Sequence, residues 1–298
     1  MSTPAGAAPE VQPASAAVRW AHGLFGLLVL EVGVLALAFS DSTDRYFSWT
    51  IAPSLTAAFL GGGYISSLAM EILAVRERFW ARSRIAVAGI WVFSTALLVA
   101  TLLHLDRFHL DDAPAGTVFF TWSWLVVYAL VPLVLPALWL YQRRLPGGDP
   151  PRVARLPAAL RPVLALQGAV LLGVGAALFA APAAADGLWP WTLSPLTGRA
   201  VAAWLLGLAT LALVAAWEDD LERASVGMGA FAVFGPLQIL VAALYAGGVD
   251  WSGGHIWVYV AFLASMGAAG AGVCWAGLTR SRRALRSPQP GPPAPAAT

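Results

Sequence analysis

The sequence predicts an all-α integral membrane protein of eight transmembrane helices, arranged as two parallel four-helix repeats with both termini cytoplasmic. Three observations carry that prediction. Hydrophobic residues make up 59% of the 298-residue chain and charged residues only 11%, where a soluble domain carries about a quarter of its residues charged. Eight apolar stretches are each long enough to cross the roughly 30 Å of hydrocarbon in a bilayer. The chain also matches itself when displaced by 142 residues.

The apolar stretches run over about 18–39, 53–74, 85–105, 118–141, 160–182, 199–217, 226–247 and 255–278. Lipid offers no partner to backbone amides and carbonyls, so runs of this length pair within themselves as helices. Arg76, Arg78, Arg82 and Arg84 close the second span, and Arg143 and Arg144 the fourth. With the N-terminus inside, only Arg45, Arg107 and Arg199 of the 18 basic residues, all arginine, fall on outer loops. That asymmetry places both termini in the cytoplasm by the positive-inside rule. The segment after the sixth span dissents, carrying Glu218, Asp219, Asp220 and Glu222 against Arg223 alone.

At the ends, residues 1–17 are rich in Ala, Pro and Ser, and the basic segment from 280 runs into a Pro/Ala-rich end at 298. Such compositions bury too little apolar surface to offset ordering entropy, so both segments are expected to be disordered tails. Between them lie a first membrane unit over 18–144, a cytoplasmic linker over 145–159 and a second membrane unit over 160–279.

The displacement by 142 aligns Arg19 with Arg161, Gly26 with Gly168, Gly33 with Gly175 and Ser83 with Ser225. Its sharpest part is a shared Trp-Thr-x-x-Pro: Trp49, Thr50 and Pro53 against Trp191, Thr192 and Pro195. An even number of spans per unit makes the two halves parallel, related by an axis along the membrane normal. The first span then has a counterpart in the fifth, which argues against its being a cleaved signal peptide despite the small residues Ala36 and Ala38. Threonine and proline suit a helix start and tryptophan the headgroup level, so the motif reads as an interfacial anchor; paired motifs flanking an outer cavity are the functional alternative.

Glu31 lies in the middle of the first span, where a carboxylate is unfavourable and normally faces the protein interior or water. It is the leading candidate for coupling to a proton or substrate. Its counterpart in the second unit is Gly173. Glu71 reads as a partner for nearby arginines, and His22 as interfacial. A second candidate is an outer-face cluster of His104, Asp106, His109, Asp111, Asp112 and His255, residue types that bind zinc, copper or iron and carry protons. A bis-histidine haem site drawn from His104 and His255 is a minor variant. Gly61, Gly62, Gly63, Gly267, Gly270 and Gly272 permit close helix approach, while Pro132, Pro136 and Pro236 should bend their helices.

The near-neutral charge of +2 gives no case for nucleic acid. The single cysteine excludes an intrachain disulfide, and no phosphate-binding loop, zinc-protease motif or serine-nucleophile elbow is present. Three function classes remain. The leading one is a small-solute or ion transporter with a buried carboxylate at the midplane. The others are a metal- or haem-binding membrane protein or enzyme using the outer cluster, and an accessory subunit of a membrane complex. An enzyme is the less favoured class, and no motif calls for a cofactor. The partners expected are the lipid bilayer, a homo-oligomeric copy or a membrane complex, and the location expected is the plasma membrane.

Overall fold

A computed structural model describes residues 10–152 and 154–286. Its long helices are α1 (Ala16–Ala38), α3 (Ser54–Arg76), α4 (Trp80–Leu103), α5 (Ala115–Arg143), α6 (Leu160–Ala180), α7 (Pro195–Glu218), α8 (Leu221–Leu244) and α9 (Gly254–Arg286), with a one-turn α2 (Thr43–Tyr46) after α1. Among the described residues eight helices are long and apolar enough to cross a membrane, so the protein is a multi-pass, helical one suited to a lipid bilayer. Local chemistry fixes several starts. Ser15 caps α1 by accepting from the Val18 amide, Ser194 caps α7 by accepting from Thr197, and the Asp220 carboxylate accepts from both Glu222 and Arg223 at the head of α8.

Burial divides the helices into two layers. α3, α4, α7 and α8 form an inner group, α7 the most enclosed at 72% buried, and α1, α5, α6 and α9 lie outside it, α1 the least enclosed at 22%. Each outer helix leans chiefly on one inner helix: α1 on α3, α5 on α4, α6 on α7 and α9 on α8. Inside, α3 pairs with α8 and α4 with α7, so both central pairings join the first half of the chain to the second. Small residues let these backbones approach, as membrane helices require when lipid supplies no hydrophobic drive between them. A β-carbon added at Gly89 would reach the Gly207 carbonyl at 3.4 Å, and one added at Gly207 would reach the Gly89 carbonyl at 3.3 Å.

The internal prolines are accommodated differently. Pro136 has no amide to offer the Pro132 carbonyl one turn back, and the Trp91 indole of α4 donates to that carbonyl instead, at 3.1 Å. In α8, Pro236 sits beside Gly267, and Gly235 lies directly against the α9 backbone at Leu263. The α8–α9 contact is tight as a result, while α5 packs more loosely on α4.

At the arginine-rich end, the acidic segment that dissented from the charge pattern proves to be a counterion centre. Glu218, almost fully buried, accepts from Arg84 of α4 and from Arg223 of α8 at 2.8 Å. Arg84 and Arg223 also reach Asp149 at 2.8 and 3.3 Å, and Arg82 pairs with Glu222. Residues expected to belong to a disordered tail are held here too. Gln12 exchanges backbone hydrogen bonds with Gly148 and Trp80, Ala14 donates to Arg78, and buried Gln142 bonds Ser15 and Pro13 through its amide. Backbone pairing, which composition does not report, orders the chain from residue 10. α9 likewise continues through Arg286, where a basic tail was expected from 280; residues 1–9 and 287–298 of the expected tails lie outside the described residues.

The close α8–α9 crossing sets a steric test. A β-carbon at Gly270 would sit 2.3 Å from the Ala232 amide and 2.8 Å from the Met228 carbonyl, whereas one at Gly272 meets nothing within 4 Å. Gly270→Ala should lower thermal stability in detergent by about 1–3 kcal/mol, the usual range for overpacking. Gly272→Ala should leave the melting temperature unchanged, and equal melting of the two variants would contradict the packing.

Candidate functional site

Because α1 and α5 barely touch each other, a crevice opens between them and leads to a cavity of about 120 Å³ floored by α3, α4 and α7. Its walls are aromatic. Trp204 stands edge-on to Tyr64 with ring centroids 4.9 Å apart and against Phe93 at 4.2 Å, and Trp124 meets Tyr128 at 4.5 Å. Tyr64 and Tyr128 share a hydroxyl–hydroxyl hydrogen bond of 2.6 Å. The lining serines add little polarity, because Ser67, Ser94 and Ser123 each donate to a carbonyl of their own helix. What remains is the buried, unpartnered indole N–H of Trp204 and two carboxylates, Glu31 and Glu71.

Glu71, expected to partner arginines, has a different neighbour. Its Oε2 lies 2.7 Å from Nδ1 of His22, with side chains 2% and 1% exposed, and Nε2 of His22 has no partner. His22 is six residues into α1, about 9 Å from the helix start at 1.5 Å per residue. His22 and Glu71 therefore form a buried imidazole–carboxylate couple, and Glu71 partners a histidine where arginines were expected. The near contact of Gly26 with the Glu71 β-carbon, 3.5 Å from an added Cβ, seats α1 closely enough to form it. Glu31 itself is exposed on α1, at the lip of the crevice, and makes no hydrogen bond or ion pair among the described residues. The expectation of a buried carboxylate there is corrected: four residues beyond Leu27, it shares that residue's outward face.

The outer-face residues do not converge. His104 Nε2 accepts from Arg199 at 2.8 Å, tying α4 to α7. His109 donates from Nδ1 to the Phe47 carbonyl at 3.0 Å and meets the Thr50 hydroxyl at 3.3 Å through Nε2. Asp106 pairs with its neighbour Arg107 at 3.1 Å, Asp111 and Asp112 do not join it, and His255 stands on α9 at a second cavity. Among the described residues no three His, Cys, Asp or Glu side chains gather to hold a metal ion. The haem variant fares no better, since His104 already spends its free nitrogen on Arg199.

The repeated motif also differs from expectation. Trp49 and Trp191 are buried within the protein, where an exposed anchor would present its ring outward. Trp49 packs against Phe47, Phe108 and Trp124, and Trp191 against Phe59, Trp189 and Tyr259 while donating to Thr56 at 2.9 Å. Thr50 and Thr192 cap no helix: Thr50 meets His109, and Ser194 caps α7. Pro53 precedes α3 and Pro195 begins α7, as a residue lacking an amide proton allows.

No protein-family model, no curated protein and no solved structure matches the chain.

His104 supplies a pH test outside the spans. Burial, then the Arg199 guanidinium, hold its pKa below the ordinary 6.5. The folded state therefore binds this proton less readily than the unfolded state, and stability falls as pH drops below 6.5. The melting temperature of the wild type should decline more steeply than that of His104→Gln on acidification through this range. Parallel declines would remove His104 from the account of acid sensitivity.

Proposed function

We propose that the protein is a proton-coupled carrier of small lipophilic organic cations, with the site between α1 and α5. The observation that carries this reading is an aromatic cavity lined by two carboxylates, one of them paired to a buried histidine. Aromatic faces attract cations, most strongly when water is excluded, and carboxylates supply countercharge in a medium of low dielectric constant. Inorganic ions are less suited, because beyond the two carboxylates the lining hydroxyls are already hydrogen-bonded and few oxygen ligands remain to replace hydration water. Its volume accepts one ring, with the rest of a ligand in the crevice. In this scheme Glu31 at the mouth attracts the cation, and the His22–Glu71 couple gives up a proton as the cation arrives.

The reading includes duplication of a four-helix unit, for which the helix contacts and the sequence displacement are the support. The helix pairings of the first half are repeated in the second, α1 on α3 as α6 on α7 and α5 on α4 as α9 on α8, and the cross-pairs α3–α8 and α7–α4 exchange under the same operation. The repeated Gly33 and Gly175 each face the next long helix, at Ile65 and at Leu205 and Leu206. At the 142-residue displacement His22 corresponds to Leu164 and Glu71 to Leu213. Leucines fill those places in one half, so the fold does not demand an ionisable pair in the other; function is the better reason for it. The arginine-rich end, with both termini, is assigned to the cytoplasm and the protein to the cell membrane, on the charge asymmetry.

Exchange of radiolabelled methylphenylpyridinium against an imposed pH gradient in sealed proteoliposomes tests the proposal. The wild type should drive exchange that protein-free vesicles lack. Glu71→Gln should reduce it on the order of tenfold, the size of an ordinary coupling energy, and Glu31→Gln should raise KM severalfold with the maximal rate preserved. Exchange equal to the wild type in Glu71→Gln, or none in the wild type, would overturn the proposal.

A further inference from the structure

A second cavity, of about 370 Å³, lies between α6 and α9 against α7, α8 and Phe59 of α3. It occupies the place in the second half that the first cavity occupies in the first, since its lining recurs one unit on: Leu28, Val29 and Val32 of α1 correspond to Val170, Leu171 and Val174 of α6. Its chemistry is different. Among the described residues no carboxylate lines it, where two line the first. It holds instead two buried donors without partners, the Trp189 indole N–H and the Tyr259 hydroxyl, on rings 5.7 Å apart. Trp189 is 8% exposed, so its N–H is desolvated as well as unpaired. Leaving such a donor unsatisfied is unfavourable, and an acceptor brought by a ligand would relieve it.

The opening of this cavity is apolar and lies between two helices. α6 and α9 touch only sparsely, and Val170, Leu188 and Val258 at its rim are exposed and apolar. We propose that this cavity binds a lipophilic molecule of no net charge from the bilayer, seating a carbonyl oxygen between Trp189 and Tyr259 and its hydrocarbon chain along α6 and α9. Both an isoprenoid-type quinone and an ester lipid carry that chemistry. The site is independent of the cation pathway, which has its own cavity and its own ionisable pair.

Photoaffinity labelling of the full chain in nanodiscs tests this with two probes, a diazirine-bearing short-chain quinone and a diazirine-bearing phosphatidylcholine. At least one should label the peptides carrying residues 170–174 and 258–266, and excess decylubiquinone or dihexanoyl phosphatidylcholine should compete according to which source fits. Tyr259→Phe and Trp189→Phe should each weaken competition about three- to tenfold, the worth of one hydrogen bond. Val174→Phe should suppress labelling by filling the space. Labelling spread without competition over lipid-facing positions such as Leu133 and Trp275, or localised labelling indifferent to both Tyr259→Phe and Trp189→Phe, would overturn the proposal. Tyr259→Phe keeps ring and volume, so its result stands even where the bulkier variant fails to fold.

Discussion

The close passage of α4 across α7 at Gly89 and Gly207, with α3 beside α8, is the constraint on which the rest of the structure depends. In lipid, helices associate through shape and polar contacts, with no hydrophobic gain from leaving the solvent. Glycines at the crossing let two backbones meet, and both inner pairings join opposite halves of the chain. Each outer helix then has one inner helix to lean on and little contact with its outer neighbour across the gap. The two cavities are those gaps, between α1 and α5 and between α6 and α9. Architecture places them, and the side chains that line them decide what they can hold.

Charge reinforces the same joint from one end. Glu218 is surrounded by Arg84 from the first half and Arg223 from the second, with Asp149 of the linker beside both. A buried carboxylate between two guanidiniums contributes less to net stability than to specificity, because desolvation offsets much of the attraction. Its value lies in register: only one sliding position of α4 against α7 and α8 brings these groups together. The N-terminal arm closes over the same end through Gln12, Gln142 and Gly148.

Hydropathy made the spans legible to within a few residues, because a bilayer sets one length for every crossing and forces each to be a helix. The larger displacements, such as α8 beginning at Leu221 where 226 was expected, come from polar first turns that capping residues like Asp220 support. The site was less legible. Glu31 drew attention because it is a lone acid in an apolar run, yet hydropathy carries no information about which face of α1 meets α3. His22 and Glu71 lie 49 positions apart, and only packing through Gly26 makes them a pair. One signal was present: set against their counterparts in the second half, both positions exchange an ionisable residue for leucine. The burial of Trp49 and Trp191 was not legible either, because tryptophan's preference for the headgroup region says nothing of which other rings a loop packs against.

Proton release on cation binding reaches the central claim most directly. Methylphenylpyridinium added to the purified protein in weakly buffered detergent solution should release about one proton per bound cation, as linkage between the two at a shared carboxylate demands, and a glutamine at position 71 should abolish that release. Binding without any release of protons, or release undiminished when Glu71 is replaced, would contradict a proton and a cation competing for the His22–Glu71 couple.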